Sequence, residues 1–170
     1  PAAADLLVST VRAVIATVDG ASAQRGVLLD AYGGIGLFAA TLDRTPAVVV
    51  EGSASACADA RHNLGDRAEV VCTSFEDWDA ASVRGRIDVA VVDPSRAGMG
   101  HRAVSVLAAA QPGAVVLVSC DPVAMARDTA LLAGEGYAHV ESIVLDLFPQ
   151  THHVEVVTLF VPRPPASAEV

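Results

Sequence analysis

The chain has 170 residues, of which 52% are hydrophobic, and its formal net charge is −9 because 20 Asp and Glu residues outnumber 11 basic residues, all of them Arg. This length allows one domain with a sizeable core, and no apolar run approaches the ~20 residues that a membrane span needs. Three cysteines without any C-x-x-C spacing argue against a disulfide framework and against a zinc or iron–sulfur site, and they are typical of a reducing cytoplasm. The acidic balance is a poor match to a polyphosphate partner.

Strand-like and helical segments alternate along most of the chain. Apolar residues at helical spacing predict a first helix over 3–18. Continuous Val- and Leu-rich runs alternating with helices are typical of a parallel sheet covered on both faces. The runs predict strands at 27–30, 47–50, 69–72, 87–92 and 114–119, and further helices are predicted at 35–42, 53–64, 102–110 and 123–133.

The end of the chain departs from this alternation. Two strand-like runs, 138–147 and 153–161, are joined by the short link "FPQT", which cannot make a parallel crossover. They therefore pair as an antiparallel hairpin. Seven strands with such a hairpin predict an α/β, Rossmann-like methyltransferase fold, here a domain over 1–161 followed by a Pro-rich tail at 162–170.

A glycine-rich segment, "LLDAYGGIGLF", follows the first predicted strand. It places Asp30 at the strand end, then Gly33, Gly34 and Gly36 before a helix. Glycines allow a tight turn and a close approach of the backbone to a ligand, and Glu51 at the end of the next strand can accept both hydroxyls of a ribose. We expect a nucleotide-like cofactor here, with an ordinary tight turn beside a solvated Glu as the alternative.

The loop by itself does not separate NAD from S-adenosyl-L-methionine. In dehydrogenases the loop binds a pyrophosphate and the full G-x-G-x-x-G pattern is typical. In this chain Ala39 stands at the last glycine position, which favours S-adenosyl-L-methionine.

"VVDPSRAG" ends the fourth strand with an acidic residue. Strand ends at the switch point of a parallel sheet line the ligand crevice, so Asp93 is expected to face the chemistry. The alternative is a turn in which Asp93 caps the backbone and Pro94 fixes φ. Enzymes that methylate exocyclic amines usually have an aromatic residue after the Asp-Pro pair. In this chain Arg96 stands there instead, which disfavours methylation of an exocyclic amine.

"VSCDP" ends the fifth strand. Asp121 is predicted to cap the next helix with Pro122 at its first position. A thiol just before a helix N-terminus lies near the positive end of the helix dipole, which favours its thiolate, and Asp121 partly opposes this. Cys120 is thus either a nucleophile or one more small core residue. Cys57 and Cys72 are expected to be buried as small hydrophobes.

"FPQTHHVE" contributes a carboxylate. Successive strand residues point to opposite faces, so His152 and His153 cannot both bind one metal, and no metal site is expected. Glu155 on an apolar strand is costly unless it is exposed, paired or protonated for a purpose. The alternative is a solvent-facing position at the edge of the sheet.

These segments, in this order and spacing, resemble the RNA uracil-C5 methyltransferases that make 5-methyluridine in tRNA and ribosomal RNA. The resemblance rests on "LLDAYGGIGLFA", "VVVEGSASACADARHN", "DVAVVDPSRAG", "VLVSCDPVAMARD" and "DLFPQTHHVE". It implies that Cys120 is the nucleophile, that Glu155 is the general base, and that Tyr32, Glu51 and Asp93 contact S-adenosyl-L-methionine.

The chain departs from the family pattern at a few positions. Gly33 stands where the family usually has Cys, and Ser95 where Pro is commoner. Family members also have an upstream RNA-binding region. We therefore expect this chain to be the catalytic domain, with most contacts to structured RNA made by that region.

The implied mechanism begins with addition of the Cys120 thiolate to carbon 6 of uracil, which makes carbon 5 electron-rich. Carbon 5 then accepts the methyl group, and Glu155 removes its proton so that the thiolate can leave. Two alternatives stay open: a small-molecule methyltransferase of the same fold, and a cofactor- or RNA-binding domain without turnover.

Overall fold

A computed structural model of the chain describes residues 2–19, 26–147, 150–151 and 154–164. His152, His153 and positions 165–170 of the predicted tail lie outside the described residues. The helices are α1 (Ala2–Val18), α2 (Leu37–Thr41), α3 (Ala54–Leu64), α4 (Gly100–Ala109) and α5 (Pro122–Gly134). The strands are β1 (Val27–Ala31), β2 (Ala47–Glu51), β3 (Ala68–Cys72), β4 (Ile87–Val92), β5 (Ala114–Ser119), β6 (Tyr137–Leu145) and β7 (Glu155–Pro162).

The seven strands form one sheet in the order β3-β2-β1-β4-β5-β7-β6. The first five strands are parallel to one another, whereas β7 pairs antiparallel with both β5 and β6. The predicted α/β fold with a C-terminal antiparallel hairpin is therefore confirmed. The strand order adds what the sequence did not predict: β7 lies inside the sheet, and β6 forms its edge.

Helices cover both faces of the sheet, as the continuous apolar strands predicted. On one face α1, α2 and α3 pack on alternate strand residues, among them Leu28, Val49 and Val116. On the other face α4 and α5 pack on the intervening residues, such as Leu29 and Leu117. The alternation of side chains along each strand thus divides the core into two layers.

Two helix boundaries follow from local chemistry. Helix α2 begins at Leu37 rather than at the predicted position 35, because Gly36 has a left-handed backbone (φ 84°) that ends the glycine turn. Helix α5 begins as predicted: Asp121 accepts a hydrogen bond from the Ala124 backbone N–H (2.8 Å), and Pro122 occupies the first turn.

The burial expected for two cysteines is confirmed for one and wrong for the other. Cys57 is buried in α3, whereas Cys72 is exposed. Cys72 ends β3, which is the outer strand of the sheet on that side, so only one strand flanks it.

The fold predicts that truncation in the middle of β5 is costly. Leu117 is fully buried between β4 and β7, and Leu117→Ala should lower the free energy of unfolding by about 2–5 kcal/mol because a cavity replaces the lost atoms. Urea denaturation measures this change. Leu6→Ala, at a side chain that is 47% exposed on α1, is the matched control and should cost under about 1 kcal/mol; equal losses for the two variants would contradict the prediction.

Candidate active site

The predicted site residues meet at one end of the sheet, where the parallel strands have their carboxyl ends. The parallel strands β1, β2, β4 and β5 end there, and β7, which runs the other way, begins there. Their ends are followed or occupied by Tyr32, Glu51, Asp93, Cys120 and Glu155. In open α/β sheets the ligand crevice lies outside the carboxyl ends of the strands, where the connections diverge to the two sides; here that point lies between β1 and β4.

The glycine loop after β1 is shaped by a left-handed backbone and by close packing. Tyr32 (φ 58°) and Gly34 (φ 54°) both have positive φ. A Cβ atom at Gly33 would lie 2.6 Å from Cγ1 of Val49, so a side chain there would require Val49 to move. At Gly34 a Cβ atom would meet nothing within 4 Å. The loop therefore packs tightly on its lower side and leaves open space on its outer side.

Glu51 ties the loop to the end of β2. Its Oε2 atom accepts a hydrogen bond from the Gly34 backbone N–H (3.0 Å), and its Oε1 atom accepts one from the Ser53 N–H (2.7 Å). A carboxylate has about four acceptor positions, so two remain for a ligand. The Cys57 thiol donates to the Glu51 carbonyl oxygen (3.2 Å) and so packs α3 against the same strand end.

Asp30 lies beneath the loop and is fully buried. Its Oδ2 atom accepts a hydrogen bond from the Ala39 N–H in α2 (2.9 Å), while its Oδ1 atom has no hydrogen-bond partner among the described residues. Burial raises the pKa of Asp30 to about 7; the hydrogen bond from the Ala39 N–H opposes this rise, and the charges of Asp93 and Glu51 add smaller increases. Asp30 therefore positions the loop and α2 from below.

Asp93 and Glu155 form a pair of neighbouring acidic residues. Burial, followed by the charge of Glu155, raises the pKa of Asp93 to about 7. Burial also raises the pKa of Glu155, which is only 8% exposed. The Asp93 backbone N–H donates to the Ala31 carbonyl oxygen (3.2 Å), which fixes this turn to the end of β1. The solvent-facing alternative for Glu155 is wrong, because β6 covers β7.

The pairing of β5 with β7 brings Cys120 and Glu155 to the same place. The last pair of the two strands is Ser119 with Val156, and Cys120 follows the first residue while Glu155 precedes the second. Cys120 is partly exposed. It also lies immediately before the capping residue of α5. A thiol and a carboxylate therefore lie side by side at the crevice.

Two hydrogen-bonded contacts near the site were not predicted from the sequence. The Tyr32 hydroxyl donates to Oε1 of Glu76 (2.8 Å), a residue of the short 3₁₀ turn Phe75–Asp77. Asp128 in α5 is buried and accepts hydrogen bonds from the backbone N–H groups of Met99 (2.7 Å) and Gly100 (3.1 Å). Asp128 could have been noticed as a carboxylate within an apolar helix, whereas Glu76 carries no periodic signal.

Within the described part of the chain, no helix is both long and apolar enough to cross a membrane. In the same ranges, no three His, Cys, Asp or Glu side chains are grouped so that they could hold a metal ion.

Comparison with known proteins identifies several RNA methyltransferases as relatives. The chain is 38% identical over 154 residues to an uncharacterized RNA methyltransferase of Bifidobacterium longum, covering 82% of this chain and 34% of that protein. It is 36% identical over 140 residues to the 23S rRNA (uracil(1939)-C(5))-methyltransferase of Shewanella amazonensis, covering 78% and 31%. The chain spans about a third of the length of these curated relatives. No protein-family profile matches it.

The chain is also similar to a solved structure of an RNA methyltransferase. The Pyrococcus abyssi tRNA (uracil-54, C5)-methyltransferase, in complex with S-adenosyl-L-homocysteine, is 34% identical and superposes with a TM-score of 0.75, covering 93% of this chain and 38% of that one. The resemblance inferred from the motifs is thereby confirmed, as is the methyltransferase fold.

The raised pKa values of Asp30 and Asp93 predict an unusual dependence of stability on pH. The ordinary pKa of Asp is 3.8, and those of Asp30 and Asp93 are about 7 in the folded chain. Between these values the folded chain holds protons that the unfolded chain has released, so these groups lower the free energy of unfolding as the pH rises. Asp30→Asn cannot ionise and should lose less stability than the wild type between about pH 5 and about pH 8.

Thermal denaturation at the two pH values measures this difference. Asp66→Asn, which removes an exposed carboxyl in the turn after α3, is the matched control and should keep the wild-type pH dependence. An unchanged pH dependence in Asp30→Asn would contradict the assignment.

Proposed function

We propose that this relative of the RNA uracil-C5 methyltransferases is a catalytic domain that transfers a methyl group from S-adenosyl-L-methionine to carbon 5 of a uridine in RNA. The proposal is supported by its sequence and structural relatives. The observation that carries it is the pairing of β5 with β7, which sets a thiol beside a buried carboxylate at the edge where the glycine loop ends. A methyltransferase without covalent catalysis would not need this pair.

The loop suits S-adenosyl-L-methionine as the methyl donor. Gly34 leaves open space within 4 Å of where its Cβ would be, and Glu51 retains acceptor positions for ribose hydroxyls. Glu51, Gly33, Gly34 and Gly36 would hold this cofactor, with Tyr32 and Asp93 beside it and Asp30 supporting the loop from below. When bound, the cofactor supplies an electrophilic methyl group.

Cys120 would act as the nucleophile. Its thiolate adds to carbon 6 of the uracil ring and forms a carbon–sulfur bond, and the electron pair of the carbon 5–carbon 6 double bond becomes available at carbon 5. Because Cys120 is partly exposed at the strand end, a uracil ring can approach its sulfur atom. Cys57 in α3 and Cys72 at the end of β3 lie in other elements and take no part.

Glu155 would act as the general base. After carbon 5 has gained the methyl group, the carboxylate takes the proton from carbon 5, the double bond re-forms, and the carbon–sulfur bond to Cys120 breaks. The raised pKa of Glu155 makes its carboxylate a stronger base than an exposed one. The partly buried Asp93 beside it, with a pKa of about 7, can stay protonated and donate a hydrogen bond to the substrate.

Most contacts to the target RNA would be made outside the part of the protein that this chain represents. The chain has a net charge of −9, while RNA binding is dominated by contacts of basic residues with phosphates. The curated relatives are about three times as long as the part that matches this chain. We therefore propose that residues 1–161 form the catalytic domain and that most contacts to tRNA or rRNA belong to the parts of the relatives that this chain does not cover. Its three free thiols fit a reducing cytoplasm.

Removal of the Glu51 carboxylate should weaken cofactor binding. Titration calorimetry with S-adenosyl-L-methionine should show that Glu51→Ala loses about 1.5–3 kcal/mol of binding free energy, the size of a lost hydrogen bond to a charged group. Glu69→Ala, which removes an exposed carboxylate from the neighbouring strand β3, is the matched control and should bind like the wild type. Equal affinities for the two variants would exclude Glu51 from the site.

Glu155→Gln should block the last steps of the reaction and spare the first. The variant should accumulate a methylated RNA–protein adduct, visible as a slow band on a denaturing gel, because the carbon 5 proton cannot be removed. The assay uses a structured uridine-containing RNA in large excess at low salt, so that weak affinity does not limit the reaction.

The cysteine variants identify the nucleophile. Cys120→Ala should abolish the adduct in the Glu155→Gln background, whereas Cys72→Ala, at the other exposed thiol, should leave it intact. An adduct that survives the loss of Cys120 would mean another nucleophile, and normal turnover of Glu155→Gln would mean that Glu155 is not the base.

A further inference from the structure

Tyr32 occupies a strained position between β1 and the glycine loop. Its φ of 58° is left-handed, a conformation that costs a residue with a side chain of this size on the order of 1–2 kcal/mol. Such a conformation persists only where the surroundings hold it. The residue stands directly before Gly33 and Gly34, so its backbone sets the direction in which the loop leaves the sheet.

The side chain of Tyr32 provides the restraint. Its ring packs against Phe75 with centroids 5.3 Å apart, and Phe75 in turn stacks on Trp78 at 5.6 Å. Its hydroxyl donates to Oε1 of Glu76 (2.8 Å). Burial and the Glu76 carboxylate raise the pKa of Tyr32, so the phenol remains protonated and remains the donor.

Glu76 is itself held by a short, well-anchored turn. Phe75, directly before Glu76, and Trp78, two residues after it, are both buried in the core layer that contains α4. The turn is therefore fixed to that layer by two aromatic side chains. A carboxylate on a fixed turn can position a tyrosine on the loop.

We propose that Glu76 is a positioning residue for the cofactor loop: it acts through the Tyr32 hydroxyl to hold the loop in the conformation that binds S-adenosyl-L-methionine. This inference rests on the proposed function, because the loop must bind that cofactor. Glu76 would not need to touch the cofactor, and its effect would disappear once the Tyr32 hydroxyl is removed.

A double-mutant cycle tests the proposal. Calorimetry with S-adenosyl-L-homocysteine should show that Glu76→Ala and Tyr32→Phe each raise the Kd about tenfold, since each removes the same charged hydrogen bond. The double variant should also lose about tenfold rather than about a hundredfold, because the two residues act as one unit. Glu76→Gln retains an acceptor oxygen and should stay within about threefold of the wild type.

Asp77→Asn is the matched control. It removes a carboxylate from the same turn, one that contacts Ser74 and Arg102 rather than Tyr32, and it should bind like the wild type. Trp78, the single tryptophan of the chain, stacks on Phe75, so an unchanged emission maximum verifies that the aromatic cluster remains packed. If Glu76→Ala does not fold, Tyr32→Phe still removes the hydrogen bond while keeping the ring.

Each result decides the question. A wild-type Kd for Glu76→Ala, multiplied losses in the double variant, or an equal loss in Asp77→Asn would each overturn the positioning role while leaving the proposed function intact. Failure of the wild-type chain to bind S-adenosyl-L-homocysteine would overturn the proposed function and this inference together.

Discussion

The antiparallel pairing of β5 with β7 is the constraint on which the rest of the site depends. The parallel strands have their carboxyl ends at the crevice. A carboxylate at the start of a strand can therefore lie at the crevice only if its strand runs in the opposite direction. The pairs from Val115 with Phe160 to Ser119 with Val156 fix this register. Because side chains alternate along a strand, a slip of one residue would turn Glu155 to the other face of the sheet and move Val157 and Leu159 out of the core layer into which they pack.

The carboxyl-terminal end of the parallel strands also holds a cluster of carboxyl groups. Asp30, Glu51, Asp93 and Glu155 all lie there. Burial raises the pKa of Asp30, Asp93 and Glu155, and the charges of neighbouring carboxylates add to the rise at Asp30 and Asp93. A fold optimised for stability alone would not place carboxyl groups so close together in its interior. Their retention is understandable where a cofactor with a positive charge and a proton transfer both need acidic groups at a fixed place.

The sequence predicted most of the fold because its strands are buried on both faces. Runs such as 114–118 contain hardly any polar residue, and the Asp121-Pro122 pair marks the start of α5. The order of strands within the sheet is set by tertiary packing and leaves no local trace. For that reason the sequence indicated neither that β6 lies outside β7, which buries Glu155, nor that β3 lies at the other edge, which exposes Cys72. Glu76 was missed because its contact with Tyr32 spans 44 residues from an irregular turn.

Helix α5 links two loops that are far apart in the chain. It begins just after Cys120, and one to two turns later Asp128 and Arg127 hold the segment that follows Asp93, with Arg127 donating to the Ala97 carbonyl oxygen (2.6 Å). A Cβ atom at Gly98 would lie 2.4 Å from Oδ2 of Asp128, so the two segments pack closely at this point. We therefore expect local opening of the Cys120 loop to carry the Asp93 loop with it, as one cooperative unit in native-state fluctuations. Cys120 and Asp93 would then leave their places together and return together.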